Sequence, residues 1–161
     1  MTTILNFLND YFKPTKISQG DHLLIHSDMR VLLKILFKKK LKMNTDDLIN
    51  YFLDFVGDRG SVSYPTFNFD FCNIGHYSYN NTKSKMGILS ETARKRLDGF
   101  KTWNPVYSFK VFGNIPNEIM QKKNISALGA ESLFHWFCKV NAKILIFNLS
   151  DQHSMTIYHH F

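Results

Sequence analysis

Short apolar runs alternate with helically spaced segments along this chain, and that alternation restricts its fold more than any other feature. His22-Leu23-Leu24-Ile25-His26, Ser61-Val62-Ser63-Tyr64, Ser108-Phe109-Lys110-Val111-Phe112 and Lys143-Ile144-Leu145-Ile146-Phe147 have strand length and strand composition. Between them the period changes. Ile4, Phe7, Leu8, Tyr11 and Phe12 predict an amphipathic helix over 3–12, ended by Pro14. Val31 to Phe37 predicts a second helix. Thr45 is the expected N-cap of a third, with Leu48, Tyr51, Phe52 and Phe55 on its buried face. Gly87 to Leu97 and Glu131 to Phe137 predict two more. Strands alternating with helices imply the α/β class, a layered sheet flanked by helices. Pro65 stops the second strand. Residues 66–83, rich in Asn, Tyr and Phe, predict a long ordered loop that covers a substrate.

A chain of 161 residues suffices for a single domain, 1–161, around one core. Fifteen phenylalanines make that core, or a groove beside it, aromatic. No apolar stretch approaches the roughly 20 residues of a membrane span. Met1-Thr2-Thr3-Ile4-Leu5-Asn6 has no basic region ahead of an apolar run, so no signal peptide is expected and the expected location is cytoplasmic. Cys72 and Cys138 show neither a CxxC pattern nor metal spacing and are expected as reduced thiols. The formal net charge of +7 favours an anionic partner. Nucleic acid, a phosphorylated cofactor and an anionic membrane surface all satisfy it, as does a merely solvated basic face. The dense run Lys38-Lys39-Lys40-Leu41-Lys42 suits a helix C-terminus. No RNP-like, helix-turn-helix or finger pattern is visible, so nucleic acid is not the expected partner.

The terminal segment carries the most chemistry. The last apolar run leads into Asn148–Phe161, which holds Ser150, Ser154, Thr156 and three histidines, His153, His159 and His160. Small polar groups leaving a buried strand are a common place for reactions in α/β proteins. Imidazole, with an ordinary pKa near 6.5, can take a proton at neutral pH. His159 follows Thr156 by three residues, on the same helical face. The spacing of the three histidines fits no standard zinc pattern, and no metal is expected. Each group also has an uneventful alternative. His159 suits a helix surface, and His26 suits a strand end bonded to backbone. Asp70 suits a turn, and Glu91 suits a solvated helix face beside Arg94 and Lys95.

Taken in order, six segments resemble the aminoglycoside N3-acetyltransferase-like (antibiotic N-acetyltransferase) family. They are Leu24-Ile25-His26-Ser27; Tyr64-Pro65-Thr66-Phe67; Met86-Gly87-Ile88-Leu89-Ser90-Glu91; Tyr107-Ser108-Phe109 with Gly113; Ala127-Leu128-Gly129-Ala130-Glu131-Ser132; and Ser154-Met155-Thr156 with His159. The resemblance spans roughly residues 18 to 161. The loop Phe67-Asn68-Phe69-Asp70-Phe71-Cys72 is most similar to relatives associated with surface-sugar pathways. The resemblance implies an α/β layer fold distinct from the GNAT acetyltransferases. It implies transfer of an acetyl group from acetyl-CoA to the amine of an aminoglycoside or other amino sugar. His159 then matches the general base, and Glu91 matches a carboxylate of the family pattern at the catalytic centre. Ser27, Thr66, Ser154 and Thr156 match positions lining the coenzyme. Arg30, with Lys34, is expected to meet its phosphates, and Asp70 and His26 to face the acceptor. A homo-oligomer is compatible with this picture.

Three departures stand out. The family continues from His-Ser with Ser-Leu and a Gly-rich turn, where this chain has His26-Ser27-Asp28-Met29-Arg30-Val31-Leu32. It has His-Pro where this chain has Asn104-Pro105. Its members also extend well past the His159 region. The expectation is therefore the N-terminal part of a longer family domain. The alternative is a truncated, inactive remnant that binds or scaffolds.

Overall fold

Hydrophobic alternation in the first strand divides the molecule into two cores. The computed structural model describes residues 3–121, 126–150 and 154–160. Strand β1 (His22–Ser27) sends Leu23 and Ile25 to one face and Leu24 to the other. It lies between β2 (Ser61–Pro65) and β5 (Lys143–Phe147), parallel to both, with Leu24 opposite Ser63 and Ile144. Next come β3 (Phe100–Lys101) and β4 (Phe109–Gly113), which add antiparallel beyond β2. The five-stranded order is β3-β4-β2-β1-β5.

The first face carries most of the helical mass. Helices α1 (Ile4–Phe12), α2 (Met29–Lys38) and α3 (Thr45–Val56) bury Phe7, Phe12, Leu32, Leu48 and Phe52 against Leu23, Ile25, Val62 and Leu145. Helix α4 (Phe71–Ile74) is a single turn in the loop after β2, and α5 (Ile88–Lys95) adds Leu89 and Ala93 to the first core. On the second face α6 (Asn117–Gln121) precedes α7 (Leu133–Lys139). Phe134, Trp136 and Phe137 of α7 pack with Leu24, Phe67, Phe109 and Val111. A 3-10 turn, Thr156–His160, closes that side through Ile157. This is the α/β layered sheet expected from the alternation. No helix among the described residues is long and apolar enough to cross a membrane.

Local expectations shift at four places. Asn44, not Thr45, caps α3, in a capping box with Asp47. Phe55 lies at the edge of that helix's buried stripe and is 37% exposed, because the stripe centres on Leu48, Phe52 and Val56. Pro65 lies inside β2, as its last residue, opposite Phe109. The loop after β2 carries the α4 turn, and its residues Phe67 and Asn68 are buried.

Candidate active site

The carboxyl ends of β1 and β2 open into a cavity of about 580 Å³. Crevices at this end of parallel strands are where α/β sheets generally place ligands. The cavity exists because the chain turns sharply as it leaves β1. Asp28 is extended and caps α2, its carboxylate accepting the Arg30 amide at 2.9 Å. The chain returns at Gly87, whose φ of +93° is left-handed, so that α5 starts beside the β1 exit. A Cβ at Gly87 would stand 3.6 Å from the Ser27 carbonyl oxygen. His26, Ser27, Arg30, Lys85, Met86 and Gly87 thus converge on one space.

Its electrostatics are balanced by pairing. The Arg30 guanidinium grips Asp28, with Nε 2.8 and 3.0 Å from the two carboxylate oxygens and a further bond from Nη2. That grip holds the Asp28 carboxyl down at about 2. Lys85 Nζ pairs with Asp70 at 2.5 Å. His26 is 6% exposed, and burial lowers its pKa to about 4. At neutral pH the cavity therefore holds a neutral imidazole and two cations that each carry a carboxylate.

The remaining predicted residues stand elsewhere. Thr66, next to Pro65 on the cavity wall, is buried and its hydroxyl lies 2.8 Å from that of Ser108. Glu91 anchors a loop. Its carboxylate takes two bonds of 2.8 Å from Arg94 and one of 2.8 Å from the Ser84 amide, while Arg94 reaches the Asn80 carbonyl. The Arg94 bonds are the main reason the Glu91 carboxyl titrates below its usual range. Ser154 is buried and donates to the Ser150 carbonyl at 2.9 Å, and Thr156 is half-buried. His159 is exposed on the terminal 3-10 turn and is absent from the cavity lining. His160, read as packing, has Nδ1 2.6 Å from the Leu128 carbonyl oxygen and lies edge-on to His135. His153 lies outside the described residues. The fold therefore gathers His26, Ser27 and Arg30, with Asp70 one ion pair away. Ser154, Thr156, His159 and Glu91 are not among the residues lining that space.

A family model described as aminoglycoside 3-N-acetyltransferase matches residues 24–161. The chain belongs to this family. Solved structures share the fold. AAC-VIa with sisomicin bound is 15% identical, with a TM-score of 0.78 over 97% of this chain and 63% of that one. The YokD protein from Bacillus subtilis is 16% identical, with a TM-score of 0.80 over 97% and 68%. AAC-IIIb in a binary complex with CoASH is 15% identical, with a TM-score of 0.76 over 97% and 63%. The chain thus spans 63–68% of the length of these solved structures. No match was found among curated proteins.

Within the family frame, Lys85 and Asp28 are the site residues that sequence reasoning missed. Asp28 was readable, because Asp is a favoured cap immediately before a helical run. Lys85 gave no local signal. Its importance comes from Asp70, 15 positions earlier in the chain.

Proposed function

We propose that this chain acts as an acetyl-CoA-dependent N-acetyltransferase on the amine of an aminoglycoside or another amino sugar. The observation that carries this is the cavity at the β1 and β2 exits, where His26, Ser27 and two helix N-termini converge. The donor set fits the coenzyme's acyl and pantetheine end, which is rich in amide and carbonyl groups. Acetyl-CoA supplies the activated acetyl group when bound. Ser27 and the neutral His26 would hydrogen-bond the pantetheine amides, and N–H groups at the start of α2, other than the Arg30 amide that Asp28 caps, would face the thioester oxygen. The family match and the CoASH complex of AAC-IIIb support this choice of co-substrate.

The acceptor amine must lose a proton as it attacks. His159 is our candidate base, on the family resemblance, and its ring has no hydrogen-bond partner among the described residues. The acceptor would then lie between the cavity mouth and the terminal turn, with Asp70 attracting its cationic amines once Lys85 is displaced. Thiol release from acetyl-CoA, measured with a panel of amino sugars, tests the activity. His159→Ala should lower the transfer rate about 10²–10⁴-fold while leaving acetyl-CoA affinity unchanged. If His159→Ala is silent and His26→Ala is not, the base lies in the cavity instead.

One observation favours a second reading. His159 stands outside the cavity lining, as expected if the chain binds coenzyme without turning it over. Saturable acetyl-CoA binding without thiol release for any amino sugar would select it.

A further inference from the structure

The cavity does not account for the chain's net charge of +7, since its lining cations are paired with carboxylates. Part of that excess stands at the opposite end of α5. There a second cleft, about 410 Å³, is lined by Tyr79, Arg94, Lys95, Arg96, Lys101 and Lys110 among others. Lys101 and Lys110 face each other across the β3–β4 pairing. Like charges directly opposite on neighbouring strands repel. Both residues are also buried, at 6% and 5% exposure. Isolated ammonium groups are costly to bury.

The counter-charges present are already in use. Glu91 is held by Arg94, and Asp98 by Arg96, with Arg96 Nη2 at 2.8 Å from Asp98. Lys95 reaches only to 3.8 Å from Glu91 and is largely exposed. Neither Lys101 nor Lys110 has a carboxylate within ion-pair distance among the described residues. Lys101 Nζ donates to the Tyr79 carbonyl, and its nitrogen stands 4.8 and 5.2 Å from the Tyr79 and Tyr77 ring centroids. Lys110 Nζ donates to the Arg96 and Gly99 carbonyls at 3.0 and 3.3 Å. An ammonium has three donors, so two remain on Lys101 and one on Lys110. Burial first, then repulsion from Arg94 and Lys110, lowers the Lys101 pKa to about 8.

We propose that this cleft is a binding site for a phosphoryl-bearing anion, seated on Lys101 and Lys110 with Lys95 at the rim. Lysine binds phosphate as a compact point charge, and three ammoniums around one space match the charge of a diphosphate. The site lies a helix length from the cavity, about 12 Å for eight residues, and does not depend on the proposed acetyl transfer.

The test is calorimetry of the full chain with inorganic pyrophosphate, at low and high salt. Saturable binding that weakens with salt is expected. Lys95→Glu, at an exposed position, should weaken it about fivefold, and Lys101→Met about tenfold or more. Arg30→Gln, at the cavity, should leave it unchanged. Absence of binding at millimolar pyrophosphate would overturn the proposal. So would an unaltered Lys95→Glu affinity, or a loss in Arg30→Gln equal to that in Lys95→Glu. If Lys101→Met fails to fold, Lys95→Glu and Arg30→Gln still decide the question.

Discussion

Helix α5 has a ligand-sized space at each end, and the two treat charge differently. Beside the cavity, Arg30 and Lys85 each hold a carboxylate, and the one imidazole is neutral. In the cleft, two buried lysines oppose each other, hydrogen-bonded to backbone carbonyls and set against aromatic faces, with no carboxylate in ion-pair contact among the described residues. A neutral, partly apolar space suits an acyl chain and its amides. An uncompensated cationic one suits an anion. The overall basicity of the sequence, taken as a single number, hid this separation.

Both spaces offer a test, and the largest effect belongs to His26. An unfolded imidazole protonates near pH 6.5, whereas the buried one resists until about pH 4. The unfolded state therefore binds more protons in that window, and stability falls as pH drops from 6.5 to 4. The loss should reach about 3 kcal/mol, and urea denaturation of His26→Gln should show a flatter acid limb. Glu91→Gln comes next. It leaves the largely buried Arg94 without its charge partner and should cost about 2 kcal/mol by the same measurement. A large loss of transfer rate at unchanged stability would instead give Glu91 a role in the reaction.

Lys101→Met tests the cleft without ligand. Removing a buried, opposed charge should stabilise the protein by about 1 kcal/mol at pH 7, read as a rise in Tm. The folded ammonium loses its proton near pH 8, before the unfolded one near 10.5, so wild-type stability should climb with pH across that interval. The climb should vanish in the variant. The smallest effect concerns pairing at the cavity. Asp28→Asn keeps a competent helix cap but releases Arg30, and acetyl-CoA should bind about fivefold tighter by calorimetry.

Much of this fold was readable wherever periodicity had room to show. Strands β1, β2, β4 and β5 and helices α1, α2, α3, α5 and α7 were each expected within a few residues. Strand β3, a residue pair, and the short helices α4 and α6 offer too few positions for any period to register. The capping box from Asn44 to Asp47 was visible, but Thr45 beside it is an equally ordinary cap. At the site, His26, Ser27 and Arg30 were legible because the first two end a buried strand and the third lies just beyond it. The disposition of His159 was not. It depends on how the terminal 3-10 turn docks through Ile157 onto the α7 side, and that is a tertiary matter. The Lys101–Lys110 opposition was also invisible, since it needs the antiparallel register between two strands.

The Glu91–Arg94 bridge fastens the loop around Ser84 and Asn80 onto α5 by backbone bonds at two points. Loop and helix are thereby tied into one bonded unit that starts at Gly87 beside the β1 exit. Occupancy of either space should register as altered amide exchange at both ends of that unit.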